Sequence, residues 1–191
     1  MNAIPRQREI LKNVKYDYLY LLSLSRGHRT TATVWEGLHT FFILLNSIVA
    51  VIASASALAA YTELKVVVVT SSVVAAILSS LLASLDPFKR ASNHREMENM
   101  FEHWSRKFSS FFVVNIDEIE KKTVLEIQKE YDDLWQKWEE AKPKESRDVN
   151  WWFMNILELM PNNPMVKFKR VRDFIKSEEF DRNWENYNPR F

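Results

Sequence analysis

The sequence predicts an all-α membrane protein: a two-transmembrane helical hairpin, with a cytoplasmic N-terminal helix before it and a C-terminal helical region after it. Three observations carry this expectation. Gly37 to Thr62 is 26 consecutive positions without a formal charge, and Val66 to Leu85 is another 20. Between Tyr61 and Val66 only Thr62, Glu63, Leu64 and Lys65 intervene. Glycine occurs twice in 191 residues, at Gly27 and Gly37, which suits a nearly continuous helical chain. The averages conceal this division: net charge is +1 and mean hydropathy is −0.28. Residues 38–85 hold only two of the 51 charges, Glu63 and Lys65, so 49 fall on the remaining 143 residues.

Four regions follow: 1–37, a cytoplasmic helix and juxtamembrane segment; 38–85, the hairpin; 86–147, amphipathic cytoplasmic helices; and 148–191, a tryptophan-rich extension. In the first, Ile10, Leu11, Val14, Tyr18, Leu21 and Leu22 recur at helical spacing, predicting a helix from Arg8 to about Ser25. Arg26-Gly27-His28-Arg29 reads as a break or bend, after which the helix resumes and enters the membrane. Arg26 and Arg29 are placed at headgroup level, and Trp35 in the interfacial aromatic belt.

A bilayer core of roughly 30 Å needs about 20 helical residues. The spans, about 38–61 and 64–85, both meet that length, and the apolar side chains of either span together contribute roughly −3 to −7 kcal/mol to insertion. Four linking residues allow only antiparallel neighbours. Six Lys/Arg precede the first span, and Lys89, Arg90 and Arg95 follow the second, while the link has only Lys65. The positive-inside rule therefore puts both termini in the cytoplasm. A cleaved signal peptide ending near Ala53-Ser54-Ala55 fits poorly, because the apolar region starts too late and a second span follows at once. A buried hairpin in a soluble helical protein is the plain alternative.

The second span is sorted by size. Ser71, Ala75, Ser79 and Ala83 recur every four residues, as do Ser72, Ala76, Ser80 and Ser84, a small-xxx-small pattern that lets membrane helices approach closely. The first span offers Ala50, Ala53, Ser54, Ala57 and Ala60, with Asn46 as its one amide. Two uses remain open. The small faces pack within one hairpin, or the serine hydroxyls and Asn46 line a water-filled path when several hairpins assemble. Two spans cannot enclose a pore, so conduction requires a homo-oligomer.

After the membrane, Asp86 is placed as N-cap and Pro87 as the first helical residue of a helix running to about Ser109, with Met97, Met100, Phe101 and Trp104 on its apolar side. Asn115 and Glu118 have capping-box spacing, predicting a second helix from near Ile116 to just before Pro143. Its stripe is Val124, Ile127, Tyr131, Leu134, Trp135 and Trp138. With Trp104, the residues Ile127, Tyr131, Trp135 and Trp138 form an expected partner-binding face. His94, Glu98 and His103 do not share one helix face and make no metal motif.

Trp151, Trp152, Phe153, Met154, Ile156, Leu157, Leu159 and Met160 form an apolar segment too short to span, which either packs on the other helices or lies in the headgroup layer. The next helix, about Met165 to Phe180, surrounds Val166, Val171, Phe174 and Ile175 with five basic residues. Such a cluster suits anionic lipid, a phosphate-bearing ligand or simply solvent.

Several function classes are excluded. Two glycines cannot build a P-loop or a dinucleotide fingerprint. Absence of cysteine removes thiolate zinc sites and disulfides. Net charge of +1 gives no reason to expect nucleic acid. No nucleophile–base pair stands out, so neither catalysis nor a cofactor is expected.

The basic N-terminal helix with His28-Arg29, the two Ala/Ser-rich spans, and Asp86-Pro87, Ala91, His94 and Trp104 on the following helix resemble the SLATT family, the SMODS and SLOG-associating two-transmembrane effectors. The likeness covers roughly residues 8–140. It implies a bacterial defence or conflict effector of the inner membrane that forms pores or otherwise breaches the bilayer on a signal. It also implies a partner protein that produces or senses nucleotides, since no sensor domain is recognisable in this chain. The other function expected from the residues is a membrane-anchored scaffold that recruits a partner without conduction.

Overall fold

The computed structural model describes residues 3–58 and 65–143, with Phe174, Phe180 and Trp184 beyond them. Every described element is a helix: α1 (Ala3–Leu58), α2 (Lys65–Leu85), α3 (Pro87–Asp117) and α4 (Val124–Ala141). They sort into two compact units. Met1–Thr30 with Arg95–Phe191 form a charged bundle, and Thr31–His94 form an apolar pair.

The bundle is built from the turns of α1 up to Thr30, the later part of α3, and α4. Ile10, Leu11, Val14, Leu19 and Leu21 from α1 meet Phe101, Trp104, Phe108 and Phe112 from α3, and Ile127 and Trp138 from α4. Phe180 and Trp184 join this core; the Trp184 ring lies 5.9 Å from Phe112, and the Phe180 ring 6.0 Å from Tyr16. The heptad-like spacing of Phe101, Trp104, Phe108 and Phe112 turns one side of α3 toward its neighbours. A fully buried phenylalanine or leucine contributes roughly 1.5–3 kcal/mol, so this seam dominates the unit's stability.

Three boundaries differ from those the sequence predicts. First, α1 does not break at Arg26-Gly27-His28-Arg29 but runs through it. A helix-interior glycine costs only about 1 kcal/mol, whereas the residues around Gly27 are held by packing. Ser25, His28 and Ala32 are buried, and the His28 ring stacks on Phe101 at 5.3 Å. Tertiary burial outweighs the local propensity.

Second, α3 continues to Asp117 rather than ending near Ser109, because Phe112 extends its buried stripe by another turn. Third, Asn115 is therefore inside a helix and caps nothing. Its side-chain Nδ2 donates to the Phe111 carbonyl at 3.0 Å. The cap of α4 lies eight residues later. Thr123 Oγ1 accepts from Glu126 N at 3.3 Å, and Glu126 Oε2 accepts from Thr123 N at 2.7 Å, a complete capping box. Thr123 Oγ1 also donates to Glu126 Oε2 at 2.8 Å, and the two bonds to this carboxylate, led by the one from the Thr123 backbone, hold the Glu126 carboxyl below its ordinary pKa. The end before Pro143 is as predicted: Lys142 is the C-cap and its N–H donates to Trp138 O at 2.8 Å.

In the apolar pair, α2 has 21 residues and rises roughly 32 Å, matching a bilayer core. Asp86 ends it and starts α3. Its N–H donates to Leu82 O at 3.1 Å, while its Oδ1 accepts from Lys89 N at 3.3 Å, so the expected N-cap is present. This double duty needs a left-handed residue, φ 42°, which aspartate tolerates better than most.

The pair is antiparallel. Near the end of α1, Val49 and Ile52 share an apolar cavity of about 320 Å³ with Val66, Val67 and Thr70 at the start of α2. At the opposite end Trp35 meets Arg90, and His39 meets Phe88. The predicted turn lies outside the described residues except for Lys65, which opens α2.

Candidate functional site

Both α1 and the continuous stretch through α2 and α3 contain segments long and apolar enough to cross a membrane. The side chains that cover them point outward. Val51 is 67% exposed and Val66 74%, and Phe41, Leu44, Ile48, Val69, Val73 and Ile77 are exposed with them. An apolar surface of this extent is unfavourable in water and is what a lipid-facing surface requires.

Packing between α1 and α2 uses one seam on each helix. On α2 the less exposed positions are Val68, Ser71, Ala75, Leu78, Leu82 and Leu85, alternating by three and four residues, with Leu78 buried. On α1 they include Phe42, Leu45, Asn46, Val49 and Ala53. The small residues named from sequence thus divide between two surfaces. Ser71 and Ala75 lie on the α2 seam; Ser72, Ser79, Ser80 and Ala83 are exposed, as are Ala50 and Ser54 on α1. The side chain of Ala57 lies outside the described residues.

Hydroxyls in this unit differ in how they are satisfied. Ser47, Ser54 and Ser71 donate back to the carbonyls of Ile43, Ala50 and Val67 at 2.7–2.8 Å. Such back-bonding hides the hydroxyl from lipid. Asn46 has no equivalent arrangement for its carbonyl: Oδ1 is buried and has no hydrogen-bond partner. An unpaired amide oxygen within an apolar span costs free energy until a donor reaches it.

The expected interface anchors also divide. Arg90 caps the carboxyl end of α2, its Nε donating to Leu85 O at 2.7 Å, and its guanidinium lies 5.1 Å from the centre of the Trp35 ring. Lys89 is exposed in the same unit. Arg26 and Arg29 belong to the charged bundle. Arg26 lines a cleft between α1 and α3, and Arg29 pairs with Glu98 at 3.5 Å. Glu98 is buried and also receives Arg95 at 2.9 Å. No family model matches the chain, and neither a curated protein nor a solved structure matches it.

The expected partner-binding face is covered by the chain itself. Trp104 and Trp138 are buried with ring centres 5.7 Å apart, Ile127 has no exposed surface, and Tyr131 and Trp135 pack beside Phe111 and Phe108. Trp135, still 38% exposed, is the most open of the five. This burial corrects the reading of α3 and α4 as helices with open apolar faces. Each was seen alone in the sequence, whereas α1 supplies the missing surface.

The sequence reading missed a polar link in this bundle. Tyr131 Oη donates to Asp17 Oδ2 at 2.7 Å across 114 residues of sequence. Burial raises the Asp17 pKa to about 6, partly offset by this bond. Nearby, burial lowers the Lys15 pKa, and its ammonium lies over the Phe112 and Tyr18 rings at 4.7 and 5.6 Å. Among the described residues no group of three or more His, Asp or Glu side chains could hold a metal ion. The 148–191 segment, apart from Phe174, Phe180 and Trp184, lies outside the described residues.

Proposed function

We propose that the protein is a membrane effector of a bacterial defence or conflict system, one that oligomerises and permeabilises or depolarises the inner membrane when a partner protein or nucleotide signal triggers it. In this reading both termini face the cytoplasm, and the charged bundle is the part that receives the signal. The observation that carries it is the division of small residues on α2. Ser72, Ser79, Ser80 and Ala83 remain exposed after the α1–α2 seam has formed, leaving a polar, closely packable surface for another copy. The Asn46 oxygen, buried and without a hydrogen-bond partner on the α1–α2 seam, is a second polar group within the apolar unit.

Purified full-length protein in dye-loaded liposomes tests this. Dye release with the wild type, and its loss in Ser80→Leu with oligomerisation retained, is the expected result. Intact liposomes, together with normal membrane potential in arrested cells that contain the assembled protein, would overturn permeabilisation. That outcome would instead favour a membrane-anchored scaffold. Exposed Leu125, Val113 and Val114 on the charged bundle support this second reading, since they remain open after its core is complete.

A further inference from the structure

Where α2 hands over to α3, two contacts hold Arg90 in place. Its Nε donates to Leu85 O at 2.7 Å, and its guanidinium lies 5.1 Å from the centre of the half-buried Trp35 ring. The first contact satisfies an orphan carbonyl at the end of α2, and the second covers one face of the guanidinium plane. A guanidinium carries five N–H donors, so the four on its two amino groups remain unspent. Among the described residues no carboxylate pairs with Arg90, and its side chain is exposed. Asp86, in the preceding turn, accepts from Lys89 N at 3.3 Å instead.

Depth decides what such a group meets. The 21 residues of α2 rise roughly 32 Å, the thickness of a hydrocarbon core. The bond to Leu85 O fixes the guanidinium at the end of that span, where headgroup phosphates lie. A guanidinium fork binds the two free oxygens of a phosphodiester bidentately, and holding it still beforehand lowers the entropy lost on binding. The surroundings suit a lipid better than a soluble anion. Phe88, in the same turn of α3, is 65% exposed although its ring lies 5.6 Å from that of His39, and Phe41 and Leu44 are exposed on α1. Acyl chains cover such side chains, whereas inorganic phosphate does not.

We infer that Arg90, oriented by Trp35, binds the phosphodiester of an anionic phospholipid, with the acyl chains running over the exposed apolar side chains of α1 and α2. In a choline headgroup the ammonium competes for the same phosphate; in a glycerol headgroup nothing does. The inference rests on the reading of α1 and α2 as membrane-embedded and is independent of permeabilisation.

Native mass spectrometry of the full-length protein, released from nanodiscs of mixed dioleoyl phosphatidylglycerol and dioleoyl phosphatidylcholine, tests the site. The wild type should retain phosphatidylglycerol over phosphatidylcholine by about fivefold, and Arg90→Gln should abolish that preference. Trp35→Leu removes no charge and should reduce the preference; Lys89→Gln removes one charge at the neighbouring position and should leave most of it. Excess inorganic phosphate should displace nothing. Equal retention of the two lipids by the wild type, equal losses in Lys89→Gln and Arg90→Gln, or displacement by inorganic phosphate would overturn the assignment. If Arg90→Gln lowers helicity by circular dichroism, Arg90→Lys, which keeps the charge and loses the fork, gives the second reading. Undiminished preference in both Arg90→Lys and Trp35→Leu would equally overturn it. Flotation with phosphatidylcholine liposomes separates the two levels: a wild type that does not float overturns the membrane reading and the site with it, and one that floats without lipid preference overturns the site alone.

Discussion

The Tyr131 hydroxyl donates to Asp17 at 2.7 Å, tying α4 to α1 through a carboxyl whose pKa is raised to about 6. Burial is the larger cause of that shift. An unfolded aspartate releases its proton near pH 3.8, whereas the folded one keeps it until about pH 6. The contribution of Asp17 is therefore most favourable below pH 3.8 and is lost as pH rises through 6.

Asp17→Asn keeps an acceptor for Tyr131 but cannot ionise. Relative to wild type it should gain roughly 1–2 kcal/mol at pH 7.5, after allowance for partial solvent exposure, and little at pH 4. Thermal melts followed by circular dichroism at both pH values check this. Equal pH dependence in the two proteins would show that Asp17 does not carry the effect.

Removing the other partner has the opposite consequence. Tyr131→Phe leaves the Asp17 carboxyl without its donor, at a cost of about 1–3 kcal/mol. The same substitution in the Asp17→Asn background should cost less than in the wild type, because a neutral amide is easier to bury than a carboxylate. A double-mutant cycle at pH 7.5 measures the difference, and strict additivity would mean that the two side chains do not interact.

The capping box at α4 gives a local test. Thr123→Ala removes the acceptor for Glu126 N and should destabilise the charged bundle by about 1 kcal/mol. Because both termini of the bond sit at the helix start, hydrogen exchange should accelerate in the first turn of α4 more than around Trp138. Uniform acceleration across α4 would contradict a local capping role.

Most of the architecture was legible because membrane insertion and amphipathicity are written in local composition. Leu38 to Leu85 announces two spans by absence of charge, and Ile127, Tyr131, Leu134 and Trp138 mark the inner face of α4 by spacing alone. The errors arose where tertiary contacts overrule local signals. Gly27 reads as a bend until His28 is seen stacked on Phe101, and Asn115 reads as a cap until Phe112 is seen buried beneath the same turn. The Asp17–Tyr131 bond and the cleft beside Arg26 join residues far apart in sequence, so no window along the chain contains them. Glu98 between Arg29 and Arg95 is intermediate, since only the Arg95 contact has local, three-residue spacing.

Core and surface apolar residues on α4 should also separate. Ile127→Ala empties a site with no solvent exposure and should cost about 2–5 kcal/mol. Leu125 is two residues away and 77% exposed, so Leu125→Ala should change stability by less than about 0.5 kcal/mol. Denaturant unfolding of the full chain in detergent compares them. If Leu125→Ala proved as destabilising as Ile127→Ala, then Leu125 would be covered by another molecule in solution.

The sharpest division lies on α2, where the seam and the exposed small face can be altered separately. Ala75→Leu adds three carbons to the α1–α2 seam, where overpacking usually costs about 1–3 kcal/mol; Ser80→Leu adds bulk to a side that faces away from α1. The chain has no cysteine, so cysteines introduced at Val49 and Val67, which line one cavity, can carry a clean pair of spin labels. Ala75→Leu should broaden or lengthen the distance between them, whereas Ser80→Leu should leave it unchanged while abolishing dye release. If both substitutions left the label distance unchanged and neither affected release, the small residues of α2 would serve neither hairpin packing nor assembly, and their arrangement would need a different cause.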